Sequence, residues 1–160
     1  MGAFRVEVVT YTLTSLTITI GLFIGLILAI ISPEELKPGK KYFKITEHIL
    51  FYLIIFFSLT FLYINKVYLL TTMAILVFYF LEFKLKPQFT YLLLSILFYL
   101  STTNEDAFLI ISSLLFIYTI FVSINFRIKH IHKNNWKITK LLLINYIWFF
   151  IGTIILYFTI

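Results

Sequence analysis

The sequence predicts an all-α, polytopic membrane protein, with six transmembrane helices, both termini outside, and a single transmembrane domain over residues 1–160. Three observations predict it. The chain is 61% hydrophobic and only 12% charged. Soluble domains carry about 25% charged residues, so this chain has too little polar surface to coat a water-facing core. Its apolar residues are gathered into runs of roughly 20, the length a helix needs to cross ~30 Å of hydrocarbon. Those runs are apolar on every side, whereas a membrane β-barrel alternates apolar and polar positions.

The first span covers residues 8–31. Its length, the single Arg5 before it and the lack of a small-x-small cleavage site after it argue against a removable signal peptide. The stop is Ser32-Pro33-Glu34-Glu35. Ser32 suits an N-cap, Pro33 the first helical position and Glu35 the carboxylate of a capping box. The expectation is a short surface helix that ends at Pro38-Gly39, followed by the basic stretch Lys40, Lys41, Lys44.

The second span covers about 46–64, and Asn65-Lys66 makes a tight turn into the third, about 67–83. Lys84 and Lys86 mark a return to water, and Pro87 restarts a helix. The fourth span, about 88–103, is the shortest. Thr103 to Asp106 reads as a helix start, with Thr103 as cap and Glu105 and Asp106 complementing the positive end of the dipole. The fifth span covers about 107–126 and the sixth about 138–160, with a basic segment from Arg127 to Lys140 between them.

Charge sets the orientation. Lys37, Lys40, Lys41, Lys44, Lys84, Lys86, Arg127, Lys129, Lys133, Lys137 and Lys140 fall on connectors one–two, three–four and five–six. Only Arg5 and Lys66 fall on the opposite face, so the 13 Lys and Arg residues divide eleven against two. Cytoplasmic loops carry the Lys/Arg excess, which places the odd connectors in the cytoplasm. Tyr42, Tyr63, Tyr68, Tyr91, Trp136 and Tyr157 fall near span ends, as an aromatic belt requires. The expected location is the cell membrane. The bias towards Ile, Phe, Tyr, Lys and Asn suits an AT-rich genome, and with the compact loops it points to a prokaryotic source.

Four groups of residues are candidate sites. Thr17, Gly21, Gly25 and Ala29 recur every four residues, and such a small-residue face lets another helix approach closely. The expected use is packing within the chain, and the alternative is a seam to a homo-oligomer or another membrane subunit. Glu47, His48, Glu82 and Asn145 are the candidate intramembrane polar residues. Ionisable groups in a span are costly and mark function by default. Glu47, His48 and Glu82, however, sit near the cytoplasmic edge, where snorkelling is the plainer account. Asn145 lies seven residues from Gly152 and is expected to bond to a neighbouring helix.

Arg127, Lys129, Lys133, Lys137 and Lys140 are expected to meet anionic lipid headgroups on the cytoplasmic side. Ile128, Ile131 and Ile138 would dip into lipid beside them. This basic charge therefore calls for no nucleic acid. The fourth group, His130 and His132, shares a face only on an extended segment, and no third ligand stands near, so no metal is expected.

Several chemistries lack their signatures. The chain has no cysteine, and Asp106 is its only aspartate. Gly-x-Gly-Asp, Gly-x-Ser-x-Gly, His-Glu-x-x-His and a phosphate-binding loop are all absent from the sequence. No catalytic residue or cofactor is assigned. Three functional expectations remain: a non-catalytic membrane protein or complex subunit, a small-solute or ion transporter, and a membrane-embedded enzyme acting on lipid.

Overall fold

The computed structural model describes residues 6–61, 87–132 and 134–159, which form five α-helices and no strand. They are α1 (Val8–Ile31), α2 (Pro33–Phe61), α3 (Pro87–Ser101), α4 (Glu105–Lys129) and α5 (Asn135–Thr159). By length and composition α1, α2, α4 and α5 are long and apolar enough to cross a membrane. The fourth predicted span is the 15-residue α3. At 1.5 Å per residue it is about 22 Å long, short of a full hydrocarbon core. The third predicted span, the last residues of the second, and Tyr63, Lys66, Tyr68, Glu82, Lys84 and Lys86 lie outside the described residues.

α1 has the limits that its apolar run predicts. α2 departs from expectation. The short surface helix does not stop at Pro38-Gly39 but continues as one rod to Phe61. Pro38 forfeits a single N–H, whose acceptor would be the carbonyl of Glu34 in the exposed first turn, where water can replace it. Gly39 is covered by the Phe43 ring one turn on, and a Cβ there would stand 2.5 Å from the nearest atom of that ring. The basic residues Lys40, Lys41 and Lys44 are therefore helical.

The start of α4 is shifted by one residue from the predicted cap. Asn104, in extended backbone, accepts the Ala107 N–H on its side chain (3.1 Å). Thr103 instead donates its hydroxyl back to Leu100 O (2.9 Å) at the end of α3. Glu105 and Asp106 do occupy the first turn. The basic segment before the last helix is also shorter than expected. α4 runs on to Lys129 and α5 begins at Asn135, so Lys137 and Lys140 are already helical.

Among the described helices, α4 alone touches all four others. It packs most extensively on α1 and then on α2, while α3 pairs with α5. The α1–α4 seam is close because Gly21 and Gly25 face Thr119 and Ser123. A Cβ at Gly21 would stand 2.8 Å from the Phe116 carbonyl oxygen, and one at Gly25 would stand 2.9 Å from the Ile120 carbonyl carbon. Gly152 plays the same part between α5 and α3, where a Cβ would reach 2.8 Å from Ser95 Cβ. Packing of this kind drives helix association where the solvent is as apolar as the side chains.

An aromatic ladder ties the remaining helices together. Tyr11 stacks on Phe98 at 4.8 Å, Phe98 meets Phe149 at 6.0 Å, Phe149 stacks on Tyr146 at 5.1 Å, and Tyr146 meets Tyr91 edge-on at 5.3 Å. Each such pair contributes about 0.5–1.5 kcal/mol beyond its buried area. The outward faces carry no comparable polarity. Val9, Leu13, Leu16, Ile20 and Ile27 form an exposed stripe on α1, as Ile147, Ile151, Ile154 and Phe158 do on α5.

Because the obstacle at Gly25 is backbone, Gly25→Leu should destabilise the protein by about 1–3 kcal/mol. Thr17→Leu, on the exposed side of the same helix, should stay within about 0.5 kcal/mol. Unfolding of both variants in one detergent decides this, and equal losses would remove the seam from the account of stability.

Candidate functional site

The small-residue row of α1 is divided by the fold. Gly21, Gly25 and Ala29 are buried, whereas Thr17 is exposed and returns its hydroxyl to Leu13 O (2.9 Å). Four residues overshoot a 3.6-residue turn by about 40°, so a four-residue row drifts around the helix and its first member rolls off the contact. Ala29 packs with Leu36 and Ile124 in a small cluster of its own. Thr119 reinforces the glycine seam, its hydroxyl lying 2.7 Å from Phe116 O and 3.0 Å from Ile18 O of α1.

Glu47 has a partner that was not anticipated. The Asn125 amide donates one hydrogen to Glu47 Oε2 (2.6 Å) and the other to Phe43 O (3.0 Å). Only the amide nitrogen can serve two acceptors, so the orientation of Asn125 is fixed by its neighbours. This joins α2 to α4 through a carboxylate inside an apolar helix. His48, next in sequence, points elsewhere and donates from Nδ1 to Lys44 O (2.6 Å). Glu82, the third member of the predicted group, lies outside the described residues.

Hydroxyls gather on the inward side of Glu47. Tyr91 of α3 and Tyr118 of α4 are both buried and within reach of its charge. Tyr146 of α5, 2% exposed, abuts Tyr91, and its hydroxyl meets no hydrogen-bond acceptor or donor within standard geometry among the described residues. Thr19 of α1 faces Tyr146 but donates to Ser15 O (2.8 Å). Each of the five described helices thus contributes at least one polar side chain to this group, α4 supplying both Tyr118 and Asn125. Tyr91 belongs to this group and not to an interfacial belt, whereas Tyr42 and Trp136 are fully on the surface.

Asn145 is half-buried on α5 and makes no hydrogen bond to any described residue. Of the basic residues, Lys129, Lys137 and Lys140 are exposed, Arg127 is half-buried, and Lys133 lies outside the described residues. His130 ends α4, donating from Nδ1 to Phe126 O (3.0 Å) with its ring 4.5 Å from that of Phe126. His132 is exposed in the turn beyond it. No group of three His, Cys, Asp or Glu side chains able to hold a metal occurs among the described residues.

Shallow cavities open on the surface of the described helices. A groove of about 220 Å³ runs between α1 and α5, lined in part by Tyr11, Ser15, Phe150, Thr153 and Tyr157. Its hydroxyls are already engaged, Tyr11 with Thr153 O (3.3 Å) and Tyr157 with Val6 O (2.8 Å). A niche of about 340 Å³ lies against the first turns of α5.

Sequence reasoning missed Asn125, Tyr118 and the Ser95–Gly152 contact. Thr119 and Ser123, four residues apart, carried a legible signal as a second small face, while an isolated Asn such as Asn125 carried none. Comparison with protein-family models, curated proteins and solved structures yields no match to this chain.

The Glu47–Asn125 bond predicts a coupling between helices. In a double-mutant cycle of Glu47→Leu and Asn125→Leu, unfolding free energies should show about 1 kcal/mol of interaction, within the range for polar pairs between apolar helices. A coupling of zero would mean the two residues act independently.

Proposed function

We propose that the chain is a multi-pass integral protein of the cell membrane that serves as a non-catalytic component, binding a second membrane helix from its own kind or from another subunit. Six spans, cytoplasmic odd connectors and external termini are part of this proposal, and the eleven-to-two division of Lys and Arg supports them. The exposed aliphatic stripes on α1 and α5 suit lipid as solvent, since soluble monomers rarely expose large contiguous apolar patches.

Asn145 carries the subunit reading. An amide in the middle of an apolar helix, half-exposed and without a partner among the described residues, is complemented by a polar group on a neighbouring helix. A transporter is the second reading, and the Glu47, Asn125 and tyrosine group favours it, since polar side chains drawn together from all the described helices are what a solute or ion path needs. For the lipid-acting enzyme, Glu47 and His48 turn to different partners and no shared pocket joins them among the described residues.

Purification in a mild detergent tests the first reading. The chain should elute as a defined oligomer or with a companion at fixed ratio, and Asn145→Leu should weaken that association by about five- to twentyfold, the equivalent of about 1–2 kcal/mol. A monomer whose behaviour Asn145→Leu leaves unchanged would contradict it.

A further inference from the structure

We propose that the foot of α5 binds one anionic phospholipid, with its phosphate between Lys137 and Lys140 and one acyl chain along the apolar stripe beside them. This rests on the reading above that the chain spans a bilayer with this foot at the cytoplasmic leaflet.

The niche at that foot is lined by Lys137, Lys140, Leu141 and Ile144. Its lining is almost wholly apolar, so Lys137 and Lys140 face it with their methylene stems, and snorkelling would carry their ammonium groups to its polar edge, the polarity gradient of a phospholipid at the interface. The apolar side continues as a track. Leu141, Ile144, Trp148, Ile151 and Ile155 are all exposed, and their alternating spacing of three and four keeps them on one face of α5. From Leu141 to Ile155 the track is about 21 Å long at 1.5 Å per residue, more than one leaflet's share of a ~30 Å core. A free phosphate ion would use the lysines and leave the track unexplained, so a diacyl lipid is the occupant that accounts for both.

Among the described residues, the positive charge of the two lysines meets no countercharge. α5 contains no Asp or Glu, and neither lysine forms an ion pair with a described residue. Both stand at the start of the helix, where cations oppose the dipole, so helix stability does not account for them. A phosphodiester supplies the missing countercharge, and juxtamembrane lysines gain from anionic headgroups for the same reason.

The chain carries its own probe. Its two tryptophans, Trp136 and Trp148, both lie on α5, with Trp148 on the track and Trp136 at the foot. Trp136→Phe leaves Trp148 as the single fluorophore. This chain would be reconstituted in phosphatidylcholine vesicles containing increasing fractions of phosphatidylglycerol with brominated chains, or of brominated phosphatidylcholine. Quenching of Trp148 should saturate at a far lower fraction of the anionic lipid. Lys137→Gln with Lys140→Gln should raise the fraction required about thirtyfold, the ratio that about 1 kcal/mol per lysine represents. Lys40→Gln with Lys41→Gln should leave it unchanged.

Equal quenching by the two lipids, or indifference to the α5 lysines, would overturn the site. An equal loss in the Lys40 and Lys41 variant would reduce it to a diffuse surface field. Failure of the underlying reading is separable: an impermeant maleimide that labels Asn134→Cys from outside the cell would place the foot in the wrong leaflet, whatever the quenching shows.

Discussion

A polar group in an apolar setting is costly unless it is hydrogen-bonded, and that constraint organises this fold. The helices satisfy their own backbone. Their Ser and Thr side chains follow suit, as Thr12 bonds to Val8 O, Ser58 to Ile54 O and Thr60 to Phe56 O, each within one turn. Hydroxyls satisfied in this way add no net polarity to a helix surface. They leave α1, rich in Thr and Ser, compatible with lipid on its outer side and with close packing on its inner side.

Once the helices are self-sufficient, small residues decide which of them come together. Gly21 and Gly25 bring α1 onto α4, and Gly152 brings α5 onto α3. These contacts, with the aromatic ladder from Tyr11 to Tyr91, place the polar exceptions. Asn125 and Glu47 satisfy each other across α2 and α4, and the Tyr146 hydroxyl is buried beside Tyr91. Asn145, one residue earlier in sequence, falls on a different side of α5 and looks out of the described bundle. Two adjacent polar residues thus differ in setting: Tyr146 faces the interior and Asn145 is half-exposed.

The helices themselves were legible because length and apolarity are local properties. α1 could be read to its last residue. The connections were less so. Pro38 and Gly39 read as a stop, but the first turn of α2 tolerates the lost hydrogen bond and Phe43 covers the glycine. Thr103 and Asn104 are both good caps, and only the geometry at the end of α3 assigns the role to Asn104. Of the site, Glu47 was visible as a carboxylate at the cytoplasmic edge of the second span. Asn125 was not, because their pairing joins residues 78 apart and depends on how α2 crosses α4. Periodicity tells which residues share a face, and it does not tell which helix that face will meet.

The central claim is that lipid, not water, bathes the exposed apolar stripes. The chain contains no cysteine, so a nitroxide can be placed at any single position without background. Spin labels along α5 in a bilayer, collided with oxygen and with a water-soluble nickel complex, give the most direct measurement. Positions 147, 151 and 154 should collide freely with oxygen and hardly with nickel, while positions 142, 146 and 149 should be shielded from both, in a 3.6-residue rhythm. Nickel reaching the exposed positions more readily than oxygen would mean that water lies against that face, and the account would fail.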